Sequence, residues 1–202
     1  MRDLPSSIRG GLWMMASALS FTIMTALIRE VAKDIHPFEI GLFRVVTNLL
    51  LMLPFAFRTG RAIWVSDNHK VYVLRGFTGT AFLLCYFSGA ALIPVSDTQA
   101  LIFVTPLFAA LMAVLFLRER VHTRRIVALI VGFLGALIIL RPGFAEINIG
   151  SVLVLLSAIF LAASLVSVRH TTRTDHPDTA VFYLMLYMTP LVAIPALFVW
   201  TP

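Results

Sequence analysis

Apolar and polar positions in this chain fall into long blocks, and neither the period-two rhythm of a half-buried strand nor the 3.6 rhythm of a surface helix organises them. Seven apolar stretches stand out: Gly11–Ile28, Phe38–Phe57, Gly76–Pro94, Thr98–Leu117, Ile126–Leu140, Ile147–Val168 and Thr179–Trp200. A helix needs about 20 apolar residues to cross a hydrocarbon core of about 30 Å, so each stretch predicts a membrane-spanning helix. The fifth is short, with 15 residues between Arg125 and Arg141. Both arginines can snorkel to the interface and the bilayer can thin around it. The first runs 18 residues, longer than the roughly 7 to 15 of a signal-peptide core, and is expected to be an uncleaved first helix.

Composition removes the soluble alternative, because 59% hydrophobic and 13% charged residues leave too little polar surface to cover a globule. The net charge of +6 would suggest nucleic acid in a soluble protein. Here most basic residues lie between the apolar stretches and set orientation, so the partners expected are the lipid bilayer and a small-molecule substrate, and no nucleic acid. With the N-terminus inside, the inner segments hold Arg2, Arg9, Arg58, Arg61, Lys70, Arg75, Arg118, Arg120, Arg124, Arg125, Arg169 and Arg173, twelve in all; the outer ones hold Arg29, Lys33 and Arg141, three in all. That bias predicts a multi-pass protein of the cell inner membrane with a cytoplasmic N-terminus.

Shifted by 140 positions, the chain pairs Gly10 with Gly150, Ser17 with Ser157, Ala18 with Ala158, Arg29 with Arg169, Lys33 with Arg173, His36 with His176 and Pro37 with Pro177. Apolar helices match one another by chance, so the polar cluster between spans carries the weight. The expected organisation is a first repeat of five helices over residues 1–143 and the start of a second, with two helices, over residues 144–202. Five is odd, so the second copy enters the membrane from the opposite side, the arrangement of secondary transporters with a substrate site near the bilayer midplane. The expected fold class is an all-α membrane protein, a helical bundle of five-helix inverted repeats with one complete repeat and two helices of the next.

The segment Leu101–Gly143 carries a mid-helix proline followed by apolar residues, an Arg-Glu-Arg turn at Arg118–Arg120, a glycine-rich helix and a closing Arg-Pro-Gly at Arg141–Gly143. It resembles the end of an EamA repeat of the drug/metabolite transporter superfamily, and the stretch from Pro37 to Arg44 is similar to that family as well. The resemblance implies a ten-helix carrier for a small metabolite or drug, built of two inverted repeats around a central cavity and working by alternating access. On that count three helices of the second repeat are missing here. It says nearly nothing about substrate.

Arg44 is the one basic residue inside a span, where a charge is expensive and points to function. Gly41, Arg44 and Asn48 share a helix face, with Thr47 beside them. Arg44 is either an anchor for a substrate carboxylate or phosphate or a snorkelling brace. Glu39, in the first turn of the same helix, reads as a solvated acid favoured by the helix dipole. Pro106, preceded by Thr105, sits mid-span, frees the Ile102 carbonyl and predicts a kink or gate at the binding site; Thr189 and Pro190 repeat the pair in the last span. Arg44, Asn48, Thr105 and Pro106 are the candidate cavity residues. Gln99 reads as part of a helix cap beside Ser96 and Asp97. Ala128, Gly132 and Ala136, spaced by four, predict a helix-packing or homo-oligomer face.

Other classes are less well supported. The lysines follow Ala and His, so no phosphate-binding Gly-Lys-Ser/Thr motif is present. Cys85 is the sole cysteine, and no metal or cofactor motif appears. An intramembrane enzyme built on Ser88 would lack a histidine base within the spans, so the chain is not expected to be an enzyme. A non-transporting fragment or subunit that completes its bundle with another chain is the main alternative.

Overall fold

The computed structural model describes residues 6–59, 66, 68–117, 123–140, 148–171, 175 and 177–200, some helical ones by backbone alone. Every regular element among them is a helix: α1 (Ser6–Val31), α2 (Pro37–Thr59), α3 (His69–Leu92), α4 (Val95–Ile102), α5 (Thr105–Leu117), α6 (Thr123–Leu140), α7 (Ile149–Thr171) and α8 (Pro177–Phe198). Six segments are long and apolar enough to cross a membrane, α4 and α5 jointly forming one over Val95–Leu115. Helices satisfy their own backbone groups where lipid offers no partner, which is why these apolar runs fold this way. The protein is an all-α, multi-pass membrane protein.

Local chemistry fixes the helix ends. His36 starts α2, its carbonyl accepting from Glu39 N at 2.9 Å and its Nδ1 from Phe38 N at 3.3 Å. Asn148 starts α7 in the usual way, Oδ1 accepting from Gly150 N at 2.9 Å. Pro94 forces the preceding Ile93 into extended backbone, φ −123° and ψ 161°, and so ends α3.

The helix α3 is the hub, packing on α1, α2, α4, α7 and α8, most extensively on α7. Glycine makes those contacts close. A Cβ on Gly89 would lie 2.8 Å from the Gly150 carbonyl oxygen of α7, and one on Gly76 would lie 2.6 Å from the Tyr187 Cβ of α8. Around these crossings Val45, Leu83, Tyr86, Phe87, Met188 and Val192 form the main buried cluster. Outward-facing apolar side chains such as Trp13, Met14 and Phe198 are 70%, 75% and 87% exposed, a surface suited to lipid.

The close-packing glycines among the described residues are on α2, α3 and α7, and the face expected on α6 behaves differently. Nothing lies within 4 Å of where a Gly132 Cβ would stand, and Ile126, Val127, Ile130, Val131, Leu134 and Ile138 of α6 are exposed. The side chains of Ala128 and Ala136 lie outside the described residues. Two expectations are corrected. Glu39 is buried, at 4% exposure, and is not a solvated acid. Arg75, counted with the connecting segments, lies in the second turn of α3 and is buried at 8% exposure.

Gly89→Ala is expected to destabilise the protein by about 1–3 kcal/mol, because the new methyl meets backbone that cannot rotate away. Gly132→Ala is expected to be neutral. Thermal unfolding of the two variants in detergent checks the contrast, and equal midpoints would reject the glycine-mediated contact.

Candidate functional site

Proline at 106 has no N–H to give, so the Ile102 carbonyl one turn earlier loses its helical donor. The chain answers by breaking. α4 ends at Ile102, Phe103 and Val104 form a turn, and α5 begins at Thr105. Thr105 Oγ1 donates to the Ile102 carbonyl at 2.6 Å, replacing the missing backbone donor. Leu107 N and Phe108 N both donate to the Val104 carbonyl, at 2.9 and 3.3 Å. The second Thr-Pro pair does not break its helix: α8 runs through Pro190, and Thr189 Oγ1 donates to the Met185 carbonyl at 2.7 Å.

The break opens onto a cavity of about 730 Å³ between α1, α4, α5 and α7. Its walls include Ala18, Phe21 and Thr22 of α1, Gln99 of α4, Phe103 at the break, Thr105, Pro106 and Ala109 of α5, and Leu161 and Leu165 of α7. Ala18 and Leu161 lie near the middle of their helices, so the cavity sits at mid-span. Among the described residues, none that lines it is charged.

At one side of the cavity is a polar network absent from the expectations. Thr25 Oγ1 donates to the Phe21 carbonyl at 2.9 Å and lies 2.7 Å from the Tyr86 hydroxyl. Gln99 Nε2 donates to Thr25 Oγ1 at 2.9 Å and to the Tyr86 hydroxyl at 3.3 Å. Gln99 thus joins α4 to α1 and α3 and is not a cap residue. Thr25 and Gln99 were detectable as polar side chains within apolar stretches, but nothing in the one-dimensional pattern joins positions 25, 86 and 99.

The four candidate cavity residues separate. Thr105 and Pro106 line the large cavity. Arg44 lines a smaller, apolar one of about 170 Å³ with Met24, Leu27, Ile28, Val31, Ile40 and Phe87. Its guanidinium carbon stands 5.5 Å from the Phe87 ring centre, a cation–π contact. Asn48 is half-buried and lines neither.

At the other end of the bundle, Asp175 between α7 and α8 accepts from Ser66 Oγ, from Asn68 Nδ2 at 3.2 Å and from the Tyr72 hydroxyl at 2.6 Å. Arg75 Nη1 beside it donates to the Ala180 carbonyl at 2.6 Å. The cluster ties the start of α3 to the start of α8. An acid in a connecting segment carries no one-dimensional signal of such a role.

A multi-pass helical bundle with a span broken at mid-membrane and a cavity at the break has the architecture of membrane transporters. The pattern of the EamA-like transporter family matches residues 8–141, and the chain belongs to that family. It is 33% identical over 187 residues to the pseudopaline exporter CntI of Pseudomonas aeruginosa, covering 92% of this chain and 65% of that protein. It is 30% identical over 195 residues to a riboflavin transporter of Vibrio cholerae, 93% of this chain and 65% of the relative. With an S-adenosylmethionine uptake transporter of Rickettsia bellii the identity is 27% over 184 residues, 91% of this chain and 63% of the relative. The chain thus spans about two thirds of the length of these curated relatives.

Asp175→Ala is expected to lower stability by about 1–2 kcal/mol, since it strands the donors of Ser66, Asn68 and the fully buried Tyr72. Asp175→Asn, which keeps one acceptor, should fall between. Thermal unfolding midpoints test the order, and an unchanged Asp175→Ala midpoint would remove the cluster's structural role.

Proposed function

We propose that this chain carries the substrate cavity of a secondary carrier for a small organic metabolite, working by alternating access and performing no enzymatic reaction. The observation that carries the reading is the mid-span cavity where α4 and α5 part, walled by α1 on one side and α7 on the other. Helix boundaries support an inverted repeat: α1 ends at Val31 and α7 at Thr171, α2 starts at Pro37 and α8 at Pro177, all at the same offset of 140. On that reading α1 and α7 are equivalent helices of residues 1–143 and 144–202, and the cavity lies where the two units meet.

With the N-terminus in the cytoplasm of an inner-membrane protein, the Asp175 cluster lies at the cytoplasmic end. It bridges the first unit to the second there and holds that end closed. The names of the relatives point to organic metabolites of several kinds, and the class proposed here is no narrower. Arg44, for which no carboxylate partner is found among the described residues, is proposed to attract a carboxylate or phosphate group of the substrate. The bare Gly132 face of α6 is proposed as a contact between copies, and an unchanged oligomeric state in Gly132→Leu would remove that part.

Ala109→Trp, which fills the cavity from α5, is expected to reduce transport at least about tenfold while membrane insertion is retained. Proteoliposomes offered a metabolite panel that includes riboflavin and S-adenosylmethionine provide the measurement. Transport that survives the filling would overturn the reading. Arg44→Ala should selectively impair anionic substrates, and undiminished affinity for them would sink the anion role.

A further inference from the structure

The network beside the cavity has a direction, and that direction determines what the cavity shows to a ligand. Thr25 has one hydroxyl hydrogen, and the Phe21 carbonyl 2.9 Å away can only accept, so the hydrogen goes there. The Tyr86 hydroxyl, 2.7 Å from Thr25 Oγ1, must then be the donor in that contact. Both oxygens facing Gln99 have spent their hydrogens, so both can only accept. Gln99 therefore turns its NH₂ group toward them, which settles the amide orientation by chemistry.

The consequence falls on the other atom of the amide. Gln99 Oε1 has no hydrogen-bond partner among the described residues, and it is not among the sealed polar atoms. Gln99 lines the large cavity, whose other walls among the described residues are apolar, aromatic or threonine. Thr25 and Tyr86 are each fully buried, so no water competes for the anchoring side of the amide.

We propose that Gln99 is a specificity-determining residue: a carbonyl acceptor locked in place by Thr25 and Tyr86, selecting a ring-bearing ligand that offers an N–H or O–H donor. This rests on reading the cavity as the substrate site. A ligand acceptor placed at Gln99 Oε1 meets lone pairs, and the amide cannot turn over without setting its own oxygen against two spent oxygens. Gln99 is the contact, and Thr25 and Tyr86 are positioning residues.

The test uses two probes that differ in one donor, 5-fluoroindole and 5-fluoro-1-methylindole, titrated onto the full chain in detergent and read by fluorine NMR against empty micelles. The expected result is a preference for the N–H probe on the order of threefold to tenfold, the size of one hydrogen bond. Gln99→Met should abolish the preference by weakening only the N–H probe. Thr25→Val, which lets the amide turn, should narrow it and improve binding of quinoline, an acceptor-only ring; this shift would not arise from a general loss of packing and serves if Gln99→Met does not fold. Equal saturable binding of both indoles, blocked by Ala109→Trp, would overturn the role of Gln99 and leave the carrier reading standing. No saturable binding of either probe would overturn both.

Discussion

The closeness of α3 to α7 is the constraint on which the remaining structure depends. Where Gly89 meets Gly150, two backbones approach closely because neither glycine carries a side chain, the device by which membrane helices gain contact when lipid is as apolar as their own side chains. Tyr86 lies one turn before Gly89 on α3, so the depth of that crossing sets where the phenol stands. Its hydroxyl then reaches Thr25 of α1 and Gln99 of α4. Three helices are thus registered by a contact made elsewhere. The aromatic layer around Tyr86, with Phe21 at 5.3 Å and Phe82 at 5.5 Å between ring centres, keeps water from it.

The second organising fact is the broken span. A proline can sit within an unbroken membrane helix, and α8 carries Pro190 that way. In the fourth span the two halves part at Phe103 and Val104, and the threonine before the proline takes over the orphaned carbonyl. The difference lies in the bond each threonine makes. Thr105 reaches the carbonyl that proline deprives, three residues back, whereas Thr189 bonds the carbonyl four residues back in an intact helix.

Much of this was legible along the chain, and the reasons for success and failure are physical. Spans announce themselves because lipid demands long uninterrupted apolar runs, and Thr105 with Pro106 could be read because proline acts on its own helix, within four residues. Arg44 was visible as a charge in an apolar run, but its stacking on Phe87 was not, since that ring comes from another helix. The same holds for Gln99, whose partners lie 74 and 13 residues away. Glu39 and Arg75 were assigned to water by their nearness to span ends, and packing by neighbouring helices buried both. Small residues at a spacing of four pointed to α6, yet close crossings use glycines of α3 whose partners are on α7 and α8. Spacing within one helix tells which residues share a face and leaves open what the face meets.

The Asp175 cluster also has a bearing on how such a chain is made. Ser66, Asn68 and Tyr72 are separated from their shared acceptor by 109, 107 and 103 residues. A ribosome delivers the three donors long before it delivers the carboxylate that joins them. Until α7 has entered the bilayer, the start of α3 has nothing to close against, and hydroxyl and amide groups destined for burial remain in contact with water. The order of synthesis therefore leaves this end of the bundle open through most of assembly, and Asp175, two residues before α8, completes it.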